Sequence, residues 1–437
     1  MFKLLIIADD LSGAADCGIA CAGHGLNTVV ALGDAAYDTD ADVLSVDGDT
    51  RRLDAKDAAA ETVRLVQKYV RHDELLLFKK LDSTLRGNIG AELGAMLGTL
   101  RSGQWRSERI VTVFAPAFPA AGRTTANGRQ LVRGMPLEET EIWRRHGMTG
   151  KADISGMLGT AGMRSAHLPL DLIRSSNRSL GHAMIELAKN ADVLICDAET
   201  DEDLREIAGA SFALGRGTLW AGSAGLARHL PPTAGLDRSL RYRSEQPLAA
   251  GPTLFVIGSL SRVSQEQVRV LSTAPGIISI VLPPEILLAG SQSPGWRKLD
   301  SKLRNALETG RDVVTSLGME PQIEMAKGPL LSAALAGFVA PHADRVGALV
   351  ASGGETARSV LQAWGVTGLR LVGELEAGLP LSVTEKWKRQ LPILTKAGDF
   401  GNSQTLFNCC QFLRRLDREQ FFADEEETRA WNYRLLR

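Results

Sequence analysis

MFKLLIIADDLSGAAD (residues 1–16) opens the chain, and its reading decides the fold. The apolar run Leu4–Ala8 has no polar alternation and stops on Asp9 and Asp10, after which Ser12 and Gly13 lead into a helical pattern. A short continuous apolar run is that of a strand covered on both faces, as in a parallel sheet. A buried strand that passes through a brief acidic loop into a helix begins an α/β unit.

The same alternation continues. Further strands are expected at 28–32, 42–47, 75–80 and 110–116, and again within 191–199 and 217–230. Between them lie helical patterns such as 57–70, where Ala60, Val63, Val66, Gln67 and Val70 fall near one face. The segment 231–252 is rich in proline, glycine, alanine and charge without a clear period, which reads as a linker. A second series of apolar runs then starts at 253–259 and continues through 276–282, 311–316, 346–355, 369–375 and 391–398. The expected architecture is α/β with two domains, each a mainly parallel sheet flanked by helices. Their bounds are 1–235 and 253–437, joined by a linker at 236–252, with the active site in the cleft between them. The charged tail after Cys410 reads as helical. Its Trp431 and Tyr433 are placed to pack on the body or on a second subunit, which makes a homodimer compatible with the sequence.

Bulk properties narrow the function. A chain of 437 residues exceeds one ordinary core, and 44% hydrophobic with 23% charged residues is a soluble globular composition. Fifty lysines and arginines against 51 aspartates and glutamates leave no net positive field to attract nucleic acid. LLIIA is too short for a signal-peptide core, and no apolar run approaches the ~20 residues of a membrane span. The five cysteines show no CxxC spacing, so neither a disulfide frame nor a zinc site is expected, and the cytoplasm is the natural compartment.

In open parallel sheets, ligands bind beyond the carboxyl ends of strands. In the first half those positions hold Asp9, Asp10 and Ser12, then Asp47, Asp49 and Arg51, then Lys79, Lys80, Asp82, Ser83 and Arg86, with Arg123, Asn127 and Arg129 further on. Cations beside aspartates and hydroxyls suit a small polyhydroxy acid: the cations meet its carboxylate and the aspartates accept from its hydroxyls. The competing reading makes Asp9 or Ser12 a helix cap, Asp82–Arg86 an i, i+4 helix pair and the lysines solvated strand-end charges. Recurrence at three successive strand ends favours a site. In the second half the strand ends are GSLSRVSQEQ (258–267), ASGGETARSV (351–360) and TKAGDFGNSQT (395–405), dominated by glycine and serine. Such loops let backbone N–H groups approach an anion and suggest a phosphate site. The competing reading is a capping box from Ser352 to Glu355. GxxxxGK[ST] does not occur and no GxGxxG is well placed, so neither a P-loop nor a standard dinucleotide site is supported.

Taken in order, IADDLSGAAD, KKLDSTLRGNIGAEL, APAFPAAGRTTANG, GSLS, ASGGET and KAGDFG resemble the four-carbon acid sugar kinase family over residues 4 to about 412. The resemblance implies an N-terminal domain for a sugar acid, a C-terminal domain for ATP, and a 4-phosphate product. It implies substrate contacts from Asp9 or Asp10, Arg51 and the Lys80–Ser83 segment, and ATP contacts from Ser259, Ser352, Gly353, Gly354, Glu355 and Gly398. DSTLRGN together with ADDLSGAAD is closer to the threonate and erythronate kinases than to the oxo-tetronate kinases. Asp9, Asp10 and Asp82 are the candidates to orient or deprotonate the acceptor hydroxyl, with Asp9 preferred. Arg51 and Lys80 are expected on the substrate carboxylate, and Mg²⁺ on the ATP phosphates and water. Strand alternation is expected to turn Asp9 and Asp10 in opposite directions. The alternatives are an aldolase with a Schiff base on Lys80, a dehydrogenase, and a sugar-acid and nucleotide sensor without catalysis.

Overall fold

The computed structural model describes residues 2–33, 40–71, 75–103, 109–145, 147–236, 248–318, 328–376 and 378–416. Most of the expected linker, and Trp431 and Tyr433, lie outside the described residues. The chain packs as two units, Met1–Arg241 and Tyr242–Arg437.

The first unit contains β1 (Leu4–Ala8), β2 (Thr28–Leu32), β3 (Val43–Asp47), β4 (Leu76–Lys80), β5 (Val111–Ala115), β6 (Arg123–Ala126), β7 (Arg129–Val132), β8 (Met135–Pro136), β9 (Ser165–Leu168), β10 (Val193–Cys196) and β11 (Thr218–Gly222). Eight of these form a sheet in the order β2-β3-β1-β4-β11-β5-β10-β9, and every pairing is parallel. Successive residues of β1 enter different cores: Leu5 and Ile7 pack on one face, Leu4 and Ile6 on the other. That two-sided burial is why the run has no polar alternation, at about 1.5–3 kcal/mol for each large apolar side chain removed from water. β6, β7 and β8 form a separate antiparallel sheet.

Helix Ala55–Tyr69 starts on Asp54, whose carboxylate accepts from Asp57 N at 2.9 Å. Its buried face is Ala58, Thr62, Leu65, Val66 and Tyr69 rather than the expected set from Ala60 to Val70. Leu65 and Tyr69 offer more apolar surface than Ala60 and Gln67. Thr62 is tolerated among them because its hydroxyl donates to Ala58 O at 2.9 Å.

The second unit contains β12 (Thr253–Ile257), β13 (Ile277–Leu282), β14 (Asp312–Leu317), β15 (Ala348–Ser352), β16 (Gly368–Glu374), β17 (Pro380–Thr384) and β18 (Pro392–Lys396), in the order β13-β14-β12-β15-β18-β17-β16. Only β17 opposes its neighbours' direction. No helix among the described residues is long and apolar enough to cross a membrane.

Candidate active site

Parallel order brings β1, β3 and β4 side by side, so the residues after them share one edge. Asp9 and Asp10 follow β1, and Arg51 follows β3 after a turn in which Thr50 N and Arg51 N both donate to Asp9 O, at 3.0 and 3.2 Å. The Arg51 guanidinium grips Asp9 with Nε to Oδ2 at 2.7 Å and Nη2 to Oδ1 at 2.9 Å, and its Nη1 donates to Asp10 Oδ2. Both aspartates therefore turn to one cation, contrary to the expected divergence. The strand ends at Ala8, and strand alternation does not extend into the turn that follows. Asp10 also caps helix Leu11–Ala22, accepting from Gly13 N at 2.7 Å.

After β4, Asp82 lies 3.8 Å from Arg51 Nη2 and accepts from Arg86 Nε and Nη2, both at 2.7 Å, and from the Thr84 hydroxyl. The segment 81–88 is not helical, so Asp82–Arg86 is a loop clamp, not the helix pair weighed above. Ser83 offers its carbonyl to Gln130 Nε2 at 2.8 Å. Lys79 and Lys80 point to opposite faces: Lys79 forms a buried pair with Glu92 at 2.6 Å, and Lys80 donates to Leu81 O at 2.8 Å.

Electrostatics follow from this packing. Burial pushes the Asp9 carboxyl up, but Arg51, by charge and hydrogen bond, with Lys79 and Lys80, holds it below the ordinary carboxylate range. Burial likewise opposes Asp82, and Arg86, Arg51 and Lys80 hold it well below. Burial would lower Lys80, yet Cys17, Asp9, Asp16 and Asp10 around it raise it. An ammonium held charged is not poised as a Schiff-base nucleophile, which removes the support for the aldolase alternative.

In the second unit the three glycine and serine loops meet, because β12, β15 and β18 are neighbours. Gly398 O is the meeting point, accepting from Ser261 Oγ at 2.9 Å, Ser264 Oγ at 2.8 Å and Lys396 Nζ at 3.0 Å. A Cβ on Gly398 would stand 2.4 Å from Ser259 Oγ, so only glycine permits this approach. Lys396 also donates to Ala397 O at 3.0 Å and Phe400 O at 3.2 Å. Burial depresses its ammonium to about 8, against the opposite pull of Cys409 and Asp399.

The Ser352–Glu355 capping box is not formed. Ser352 is the buried last residue of β15, with its hydroxyl 3.3 Å from Ser264 Oγ. The N-cap of helix Gly354–Ala363 is Gly353, at φ 103° and with no side chain to cap the first turn. Donors left at a helix start are what an anion completes. Glu355 lies in that first turn.

Sequence reading did not single out Asp16, Gln130, Ser264 or Lys396. Lys396 was open to discovery, since a lysine closing an apolar strand is the signal that marks Lys80. Gln130 was not, because its partner is a backbone carbonyl on a distant loop.

Residues 4–230 match the sugar-binding N-terminal domain family and residues 254–406 the nucleotide-binding C-terminal domain family. A D-threonate kinase of Cupriavidus necator is 40% identical over 93% of this chain and 97% of its own. A 3-oxo-tetronate kinase of the same organism is 31% identical over 90% and 93%. A solved Salmonella typhimurium protein shares the fold at TM-score 0.77 and 20% identity, over 94% of this chain and 99% of that one. The chain belongs to the four-carbon acid sugar kinase family.

Proposed function

We propose that the chain transfers the γ-phosphoryl group of ATP to the terminal (4-) hydroxyl of a four-carbon sugar acid, with D-threonate as the preferred substrate. Residues 1–235 bind the sugar acid and residues 253–437 the nucleotide. The observation that carries this reading is the cluster of Asp9, Asp10, Arg51, Lys80, Asp82 and Arg86 at one sheet edge, with Asp9 4% exposed and held ionised. The similarity to a D-threonate kinase supports the choice of substrate.

Phosphoryl transfer rests on positioning and on neutralising charge. Asp9 accepts from the acceptor hydroxyl and aims it. A carboxylate held this low is a weak base, so it takes the proton late, as the bond to phosphorus forms. Lys80 supplies fixed positive charge, and the Arg86 clamp on Asp82 holds the Ser83 loop against the substrate. Gly353, Gly354 and the hydroxyls of Ser259 and Ser352 receive the phosphates at the start of the uncapped helix. Mg²⁺ brought with ATP would offset the charge of the phosphates, and since the ion tends to retain water, Glu355 in the first helical turn would be the carboxylate to hold it from the protein side.

The test is ADP release from Mg-ATP with a panel of D-threonate, D-erythronate and 3-oxo-tetronate. The expected result is the highest kcat/KM on D-threonate. Absence of ADP release with every acid overturns the kinase reading, and binding without turnover favours the sensor.

A further inference from the structure

We infer that Arg123, one of several strand-end cations and not among the residues that the family resemblance places on the substrate, is the one that holds the substrate carboxylate and makes the site choose acids over neutral four-carbon sugars. The inference rests on the kinase reading above. It begins from a shortage of available cations. Arg51 spends three of its N–H groups on Asp9 and Asp10. Arg86 is closed on Asp82 through two. Lys80 answers Asp9, Asp10 and Asp16. The cations that looked available in the sequence are therefore matched by carboxylates of the protein itself.

Arg123 differs. Among the described residues no carboxylate forms an ion pair with it, and its guanidinium donates only to the backbone, Nη1 to Ala121 O, while Nε has no partner. It is partly exposed, so a small molecule can reach it. Its place is fixed. Phe118 and Arg123 exchange backbone hydrogen bonds at 2.8 and 3.0 Å, which anchors the start of β6. Two residues on, on the same face of β6, Thr125 Oγ1 donates to Gln130 Oε1 at 2.8 Å, and Gln130 Nε2 donates to Ser83 O at 2.8 Å. The face that carries Arg123 is thus fastened to the loop of Asp82 and Ser83.

The charges that act on Arg123 are Asp82, which attracts it, and Arg133 and Arg86, which repel it. Arg133 likewise has no carboxylate ion-pair partner among the described residues. Arg123 thus has Arg133 and Arg86 against it and only Asp82, which Arg86 already holds, in its favour, and the surplus positive charge is relieved by an anion. A planar guanidinium with open N–H groups is the donor that meets a carboxylate in a bidentate manner. A neutral tetritol offers the same terminal hydroxyl and nothing for Arg123.

The experiment compares wild type with Arg123→Met and Arg123→Lys on D-threonate and on D-threitol, its neutral counterpart, with ATP KM measured alongside. Arg123→Met is expected to raise KM for the acid about 100-fold while ATP KM and turnover of the tetritol stay unchanged. Arg123→Lys should recover part of the loss, and free guanidinium added to Arg123→Ala should restore acid binding. An equal loss on acid and tetritol, or an unchanged KM for the acid, overturns the assignment. Calorimetric binding of D-threonate separates the two failures. If the acid binds without ADP release, the kinase reading falls and Arg123 is still judged by loss of binding in its variants. If wild type does not bind the acid at all, both fall.

Discussion

Two lysines end strands at the candidate sites of the two units, Lys80 as the last residue of β4 and Lys396 as the last of β18. Each is buried, and each donates to the carbonyl of the residue that follows, at 2.8 and 3.0 Å. Their surroundings push them in opposite directions. Lys80 lies among aspartates and is held charged, whereas Lys396 lies among the carbonyls of Ala397, Gly398 and Phe400 and falls to about 8. The same residue type in the same topological place thus does two jobs. One lysine balances the buried aspartates of the first unit. The other shapes a loop through dipoles, and among the described residues it forms no ion pair.

The largest effect is expected on the charged side. Asp9→Asn should lower kcat about 10³-fold with ATP affinity unchanged by calorimetry, and full turnover would remove Asp9 from the reaction. Lys80→Met should cost about 3–5 kcal/mol in chemical denaturation, because it leaves buried carboxylates uncompensated. Lys396→Met should cost less, about 1–3 kcal/mol, since it leaves neutral carbonyls without a donor. Equal losses in the two methionine variants would break the contrast.

The pH dependence separates them by sign. Lys396 titrates at about 8 folded and 10.5 unfolded, so between those values the unfolded chain holds the extra proton and stability rises with pH. Lys396→Met should lack that rise when both proteins are denatured at about pH 7.5 and about pH 9.5. Lys80 runs the other way: its contribution is complete below 10.5 and is lost as pH passes its higher folded value. A flat difference between wild type and Lys396→Met would show that Lys396 is not depressed. The smallest effect belongs to Ser264→Ala, about 1 kcal/mol, which removes one of the three donors on Gly398 O and should weaken ATP without touching sugar-acid binding.

What the sequence disclosed follows the same physics. β1 and β2 were legible to the residue because strands buried on both faces are unbroken apolar runs. Strand ends then located Asp9, Arg51, Lys80 and Asp82, since parallel order puts them on one edge. β9 and β17 were missed: SAHL and PLSVT are short and mix polar with apolar residues. The β6–β8 sheet is absent from the expected strands because most of its positions are only half-buried. The orientation of Asp10 was misread because the turn after β1 follows no periodic rule, and the loss of the capping box was hidden because strand β15 runs to Ser352. Contacts with carbonyls leave no mark on composition, which is why the cage around Lys396 stayed unseen.

The two sites also differ in when they can be assembled. Asp9, Arg51, Asp82 and Arg86 all lie within the first 86 residues, on strands that neighbour one another in the sheet. The charged cluster therefore closes over the short stretch from Asp9 to Arg86. The glycine and serine loops of the second unit close only when Gly398 meets Ser261 across 137 residues, a longer loop with a greater closure cost. Assembly of the first unit's cluster thus asks less of the chain than assembly of the second unit's loops, and the two need not form together.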